Sequence, residues 1–333
     1  MINIASCLIT RRCSMACEYC RIHSDYVVKP REYPQFKHYV QNEKPVAFWM
    51  DIVKKLYNQN PEVFIILYGG EPLLYSELPT LINYLNDLNV NYTIISNCDP
   101  KLKDVREELF DQCGTIKGFT ASIDPSFEKC LDVPDNVLTD DKRKSKHGFL
   151  ALKDLLDRGL ITDPVAEMTA DCDTIFFMKD SIKILTAAGI CSDVTVLDWS
   201  PNNFYDFSAI TNPKYLVPKT EEVKAVFDDL ISSDLNIHMK DSLLPAIYKS
   251  LPAEVECNKI QEHNISIDAD GKLRLCLRIR GKYVSSKTLD DLLNNKEEVD
   301  ELYQADKDLL CKKCSWTCVL MSQLDQDGVI THK

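Results

Sequence analysis

Ile2-Asn3-Ile4-Ala5-Ser6-Cys7-Leu8-Ile9 runs into Thr10-Arg11-Arg12-Cys13-Ser14-Met15-Ala16-Cys17-Glu18-Tyr19-Cys20, and this opening stretch decides how the rest of the chain is read. The first eight residues are largely apolar and β-branched, which predicts a strand. Cys13, Cys17 and Cys20 follow directly from its end. Loops at the C-terminal ends of parallel strands are where barrels and open α/β sheets place their sites. Three thiolates so spaced can hold three irons of a cubane cluster and leave a fourth open to an exchangeable ligand. A zinc site short of one ligand, or reduced loop cysteines, is the competing reading.

Further strands are expected at Val63–Tyr68, Tyr92–Ser96, Ile116–Ile123, Pro164–Thr169 and Val194–Leu197. Between them apolar residues recur at helical spacing: Trp49, Ile52, Val53 and Leu56; Leu78, Leu81, Ile82 and Leu85; Leu152, Leu155 and Leu156 before Gly159; Ile182, Leu185 and Ala188. Six strand–helix units require right-handed crossovers, so the expected fold class is α/β, a parallel sheet over residues 1–200 that curls as a full or partial (β/α)6 TIM-like barrel. Residues 201–254 read as a connector with helices, one of them presenting Val223, Val226, Phe227 and Leu230. Residues 255–333 read as a small cysteine-rich α+β module. Within it Asp268-Ala269-Asp270-Gly271 predicts a hairpin turn with the glycine at positive φ.

Composition narrows the function. The 333 residues carry 39 Lys and Arg against 51 Asp and Glu, a net charge of −12 that disfavours non-specific binding to nucleic acid or anionic membrane. The longest apolar runs fall far short of the ~20 residues of a membrane span, and no export signal is seen, so a cytoplasmic protein is expected. Fourteen cysteines in such a chain point to metal ligands or catalytic groups rather than disulfides. No dinucleotide or P-loop glycine motif occurs among the ten glycines.

Two of those glycines stand together in Gly69-Gly70-Glu71-Pro72 at the end of the second strand. Paired glycines let a ligand approach bare backbone, and a carboxylate there can accept from an ammonium; a plain strand-ending turn before a helix is the alternative. With the C-x3-C-x2-C of Cys13, Cys17 and Cys20, and Tyr19 before the last cysteine, the chain resembles the radical S-adenosylmethionine (radical SAM) superfamily. The resemblance implies a [4Fe–4S] cluster on the three cysteines. Its open iron would bind the amino and carboxylate groups of S-adenosylmethionine (SAM), with Gly70 and Glu71 around the amine. Ser96-Asn97 resembles the family's polar third-strand end, and Ser122-Ile123-Asp124 its ribose-contacting segment.

Cys257, Gly271 and Cys276, with Cys311, Cys314 and Cys318, make a second cysteine set. Alone it suits a zinc ribbon. After a radical SAM core it looks like a SPASM/twitch extension, and five cysteines instead of seven imply one auxiliary [4Fe–4S] cluster. Cys257 and Cys276 are its expected ligands, with two or three of Cys311, Cys314 and Cys318. Of the remaining cysteines, Cys7 and Cys191 read as core residues. Cys98 and Cys172 lie near strand ends, where a thiol could return a hydrogen atom to a substrate radical.

Glu167, Asp171 and Asp198 are candidate bases near strand ends, and the aromatic segment His23–Lys44 is a candidate lid. The expected function is oxidation or rearrangement of a small molecule through a 5′-deoxyadenosyl radical, with electrons from a donor such as flavodoxin or ferredoxin. A maturase acting on a ribosomal peptide is the alternative. It is weakened because the chain starts on the first strand, without room for a leader-recognition domain. A zinc-structured binding protein is the remote third reading.

Overall fold

A computed structural model describes residues 2–15, 43–196, 216–251, 264–274, 287–298 and 301. Residues 1–200 open with strands and helices in alternation: β1 (Ile4–Thr10), α1 (Val46–Gln59), β2 (Phe64–Gly69), α2 (Leu78–Asp87), β3 (Asn91–Ser96), α3 (Lys103–Cys113) and β4 (Ile116–Ile123). They continue with α4 (Asp140–Asp157), β5 (Ile161–Ala170), α5 (Met178–Ala187) and β6 (Cys191–Val196). After them come α6 (Glu221–Ser232), α7 (Lys240–Ser250), β7 (Asn264–Ile267), β8 (Leu273–Arg274) and α8 (Leu289–Asn294). All six expected barrel strands are present, each within three residues of its expected start, and the fold is a partial (β/α)6 barrel.

The chain divides into two compact units. The first comprises Met1–Phe119, Gly159–Thr162 and Gln261–Leu310. Its strands lie in the order β4-β3-β2-β1-β7-β8, with β1 parallel to β2 and to β7, β2 parallel to β3, and β7 antiparallel to β8. The helices cover this sheet by apolar stripes: Trp49, Ile52, Val53 and Leu56 on α1, and Leu78, Leu81, Ile82 and Leu85 on α2, are all buried. On the other face Leu8, Tyr68 and Ala269 form a small cluster with Ile66 and Ile95. Helix α3 has no counterpart in the sequence reading. It buries only Arg106, Leu109 and Phe110, too narrow a stripe to stand out among its charges.

The second unit comprises Thr120–Arg158, Asp163–Ile260 and Cys311–Lys333. Here β5 and β6 pair in parallel from Val165↔Cys191 to Ala170↔Val196. Alternation along β5 is clean: Ala166, Met168 and Ala170 are buried, whereas Val165, Glu167 and Thr169 are half-buried. Helices α6 and α7 pack through Phe227 and Tyr248, ring centroids 5.7 Å apart. Gly159 caps α4 at φ +67, as its place after the leucine stripe implies.

Two features of the C-terminal third stand out. Gly271 turns the chain at φ +83, the expected hairpin position. The pairing of β7 with β1 was not foreseen: it adds a strand from beyond residue 255 to the barrel sheet.

Candidate active site

The first unit assembles one polar cluster, at the C-terminal ends of β1, β2 and β3. It begins with the backbone of Gly69-Gly70-Glu71. The Gly70 amide donates to the Thr10 carbonyl at 3.0 Å and the Glu71 amide to the Arg12 carbonyl at 2.7 Å, lacing this turn to the segment that leads into Cys13. A Cβ on Gly69 would lie 2.2 Å from the Thr10 oxygen, and one on Gly70 2.2 Å from the Arg12 oxygen. The glycine pair is therefore required by the chain's own backbone. The bare surface that the sequence reading reserved for a ligand is occupied on this side by the stem of the cysteine loop.

Glu71 is fully buried. Its Oε1 accepts from the Leu73 amide at 3.1 Å and from Ser96 Oγ at 2.9 Å, and its Oε2 accepts from the Asn97 amide at 2.7 Å. A ligand ammonium reaching Glu71 would share oxygens that already organise the β3 end. That end turns sharply. Cys98 adopts φ 52, a left-handed conformation uncommon for a residue with a Cβ, and its amide donates to Ser96 Oγ at 3.0 Å. The turn aims Asn97, whose side-chain amide donates to Cys13 Sγ at 3.5 Å while its Oδ1 accepts from the Asp99 amide at 2.8 Å. The Met15 amide also donates to Cys13 Sγ, at 3.4 Å. Cys13 is half-buried, and its sulfur accepts from both of these N–H donors.

Glu43, absent from the sequence reading, closes the base of the loop. It accepts from the Thr10 hydroxyl, from the Arg11 amide at 3.2 Å and from Arg12 Nε at 3.3 Å, and pairs with Arg12 Nη2 at 3.0 Å. The two arginines beside Cys13 were the only hint that a carboxylate would be needed there.

In the second unit, Ser122 is half-buried on β4, and Asp124 caps the turn that follows. Asp124 Oδ1 accepts from the Ser126 amide at 2.8 Å and hydroxyl at 2.5 Å, and its own amide donates to Ser145 Oγ at 2.9 Å. Asp171 is a turn cap too, accepting from the Asp173 amide and from the Thr174 amide and hydroxyl. Cys172 is half-buried beside it, its thiol pushed up by burial first and then by Asp173 and Asp171. Glu167 and Asp193 are register partners on β5 and β6. Burial, reinforced by the Asp193 charge and opposed by Lys144, lifts Glu167 to about 7. Burial lifts Asp193 to about 6.

Cys98 is fully buried at the β3 end, in the first unit. Cys7 is buried and its thiol pushed up to about 12, consistent with a core role, whereas Cys191 is only half-buried. Cys17, Tyr19, Cys20, Asp198, Cys257, Cys276, Cys311, Cys314 and Cys318 lie outside the described residues, as does the lid segment up to residue 42.

Residues 7–149 match the family model described as the radical SAM superfamily. A curated S-adenosylmethionine-dependent nucleotide dehydratase of Selenomonas ruminantium is 29% identical over 141 residues, 40% of this chain and 46% of that protein. The match thus spans about half the length of the relative. Among solved structures, Streptococcus suis SuiB bound to S-adenosylmethionine aligns with a TM-score of 0.65 at 15% identity, covering 91% of this chain and 67% of that one. SuiB bound to its precursor peptide SuiA gives 0.59 at 15% identity, covering 96% and 70%. At such identity the likeness is one of fold.

Proposed function

We propose, on the premise that this chain is a radical SAM superfamily enzyme, that Cys13, Cys17 and Cys20 hold a [4Fe–4S] cluster whose open iron binds SAM. The observation that carries this reading is the placement of half-buried Cys13 just past a strand end, its Sγ under two N–H donors and beside the Gly69–Glu71 turn. That environment suits a cluster thiolate, since N–H donors to sulfur stabilise its negative charge. Bound there and reduced by one electron, cluster and SAM would release methionine and supply a 5′-deoxyadenosyl radical able to take a hydrogen atom from an unactivated C–H bond.

The chain's own residues hold and orient. Asn97 and the Met15 amide fix the Cys13 sulfur. Glu71 holds the β3 end, and Gly70 keeps the stem of the loop against it. Ser122 and Asp124 are the candidate ribose contacts, with Asp124 Oδ1 already committed to its turn. Tyr19 completes the family motif. Cys98 and Cys172 stay as candidate hydrogen donors. Cys257, Cys276 and two or three of Cys311, Cys314 and Cys318 are assigned to one auxiliary [4Fe–4S] cluster. The β7–β8 turn at Gly271, between the first two of these in sequence, supports that assignment.

The substrate in this reading is a small molecule of sugar, alcohol or nucleotide type, supported by the name of the curated relative. A peptide substrate is the second reading, supported by the fold likeness to SuiB bound to its precursor peptide. A flavodoxin- or ferredoxin-type donor would supply the electron. Among the described residues no helix is long and apolar enough to cross a membrane. The cysteine usage and the acidic charge favour a cytoplasmic setting without nucleic acid.

Anaerobic reconstitution tests the proposal. About eight irons per chain are expected from two cubanes, and dithionite with SAM should yield 5′-deoxyadenosine. Cys13→Ala should abolish that product. Cys276→Ala should spare it while stopping substrate conversion. Two zinc ions per chain, or no 5′-deoxyadenosine, would refute the reading. Conversion of a nucleotide panel against a peptide panel decides between the two substrates.

A further inference from the structure

Arg11 is the first residue after β1 and lies two residues before Cys13, yet it is only 5% exposed. A guanidinium buried so far needs a partner that matches its planar fork. Asp268, 1% exposed, supplies one: Arg11 Nε donates to Oδ1 at 2.7 Å and Nη2 donates to Oδ2.

The carboxylate is itself held in place. Asp268 Oδ1 also accepts from the Ala269 amide at 2.6 Å, the Asp268 amide donates to the Lys272 carbonyl at 2.9 Å, and its carbonyl accepts from the Gly271 amide at 2.8 Å. The β7–β8 turn thus presents Asp268 as a fixed post.

Three further contacts join this hairpin to the base of the cysteine loop. Strand β7 lies in register beside β1 from Ile4↔Asn264 to Cys7↔Ile267. The Lys44 amide donates to the Ala269 carbonyl at 3.0 Å. A Cβ on Gly271 would meet the Phe48 ring at 2.6 Å, so the turn packs directly on the start of α1. One hairpin therefore grips the chain where it enters the loop, at Arg11, and where it leaves, at Lys44 and Phe48.

We infer that Asp268 is a positioning residue for the Cys13 site: through Arg11, the β7–β8 hairpin sets the direction in which the chain leaves β1 and hence where the cysteine sulfur stands. This rests on the reading of Cys13 as a cluster ligand. In sequence Cys257 precedes the same hairpin and Cys276 follows it, so one element joins the segments carrying both cysteine sets.

The test compares the full-length protein with Asp268→Asn, which keeps the shape and removes the charge, by two readouts. The first, hydrogen exchange of the apoprotein, needs no cofactor. Amides of residues 10–15 and 43–49 should exchange about tenfold faster in the variant, with those of α2 and β3 unchanged. The second is 5′-deoxyadenosine formation by reconstituted protein, where KM for SAM should rise about tenfold, in the range of losses seen when supporting contacts to metal ligands are removed, with a smaller change in kcat. Loosening confined to residues 264–274, or an unchanged KM, overturns the inference. Should Asp268→Asn lose its fold, the same measurements are read on Arg11→Lys, which keeps the charge but not the fork. The same loosening and KM rise there support the inference, and wild-type values overturn it. If wild-type protein forms no 5′-deoxyadenosine, the proposed function fails, and the exchange result alone still decides whether Asp268 positions residues 10–15.

Discussion

The side-chain amide of Asn97 donates to Cys13 Sγ at 3.5 Å, spanning from the end of β3 to the end of β1. Amide donors lower the charge on a ligating sulfur and make its cluster easier to reduce. Asn97→Ala should therefore shift the midpoint potential of the cluster proposed at Cys13 to more negative values and slow SAM cleavage about tenfold or more. Asn97→Asp, which sets a carboxylate against the thiolate, should be worse than Asn97→Ala. Potentiometric titration followed by EPR reads both.

Glu71 accepts three hydrogen bonds in full burial. Removing a buried acceptor costs about 1–3 kcal/mol for each donor left unsatisfied. Glu71→Ala is expected to destabilise the protein by at least about 3 kcal/mol, and Glu71→Gln by less, because one oxygen remains. Urea denaturation followed by circular dichroism measures the difference.

Two glycine variants separate crowding from backbone strain. Gly70→Ala drives a Cβ to within 2.7 Å of two carbonyl oxygens, those of Arg11 and Arg12. It should cost about 1–3 kcal/mol and depress 5′-deoxyadenosine formation by moving the loop stem. Gly114→Ala meets nothing within 4 Å but forces a Cβ into φ +65. It should cost about 1–3 kcal/mol and leave SAM cleavage unchanged.

Glu167 and Asp193 give the protein a pH signature. Their native values lie above the ordinary carboxylate range, near 7 and 6. At these two sites the folded state therefore binds more protons than the unfolded state between about pH 4 and 7, and their contribution to stability falls as pH rises through that window, against an opposite contribution from His238, which burial holds below the usual imidazole range. The carboxyls' contribution is undiminished below the unfolded values and fully reduced above the folded ones. For Glu167 alone the reduction is on the order of 3 kcal/mol. Glu167→Gln should flatten the decline in Tm between pH 5 and 8. An unchanged slope would show that this carboxyl ionises as freely as one in water.

The strands were legible because each is a short apolar run between helices whose stripes repeat at 3.6 residues. Trp49, Ile52, Val53 and Leu56 mark α1 in the sequence as plainly as in the packing. Helix α3 was not legible, since three buried side chains in eleven residues make too faint a stripe. Of the polar cluster that the structure brings together, local spacing names Cys13 and Gly69–Glu71. The site was unreadable where partners are brought together from far apart. Nothing near Arg11 names Asp268, and Glu43 stands beyond the whole cysteine loop. The glycine pair stands out in the sequence, but the Thr10, Arg11 and Arg12 carbonyls that crowd it in the structure do not.

The pairing of β7 with β1 also bears on how the protein is made. Synthesis delivers β1 before β7, and Asn264–Ile267 emerge only after all of β2 to β6 has left the ribosome. Throughout that interval one margin of β1 lacks its hydrogen-bonding neighbour, the kind of bare edge through which nascent chains join one another. Truncation after residue 200 would make the exposure permanent, so a fragment holding every barrel strand of residues 1–200 should aggregate where the full chain does not.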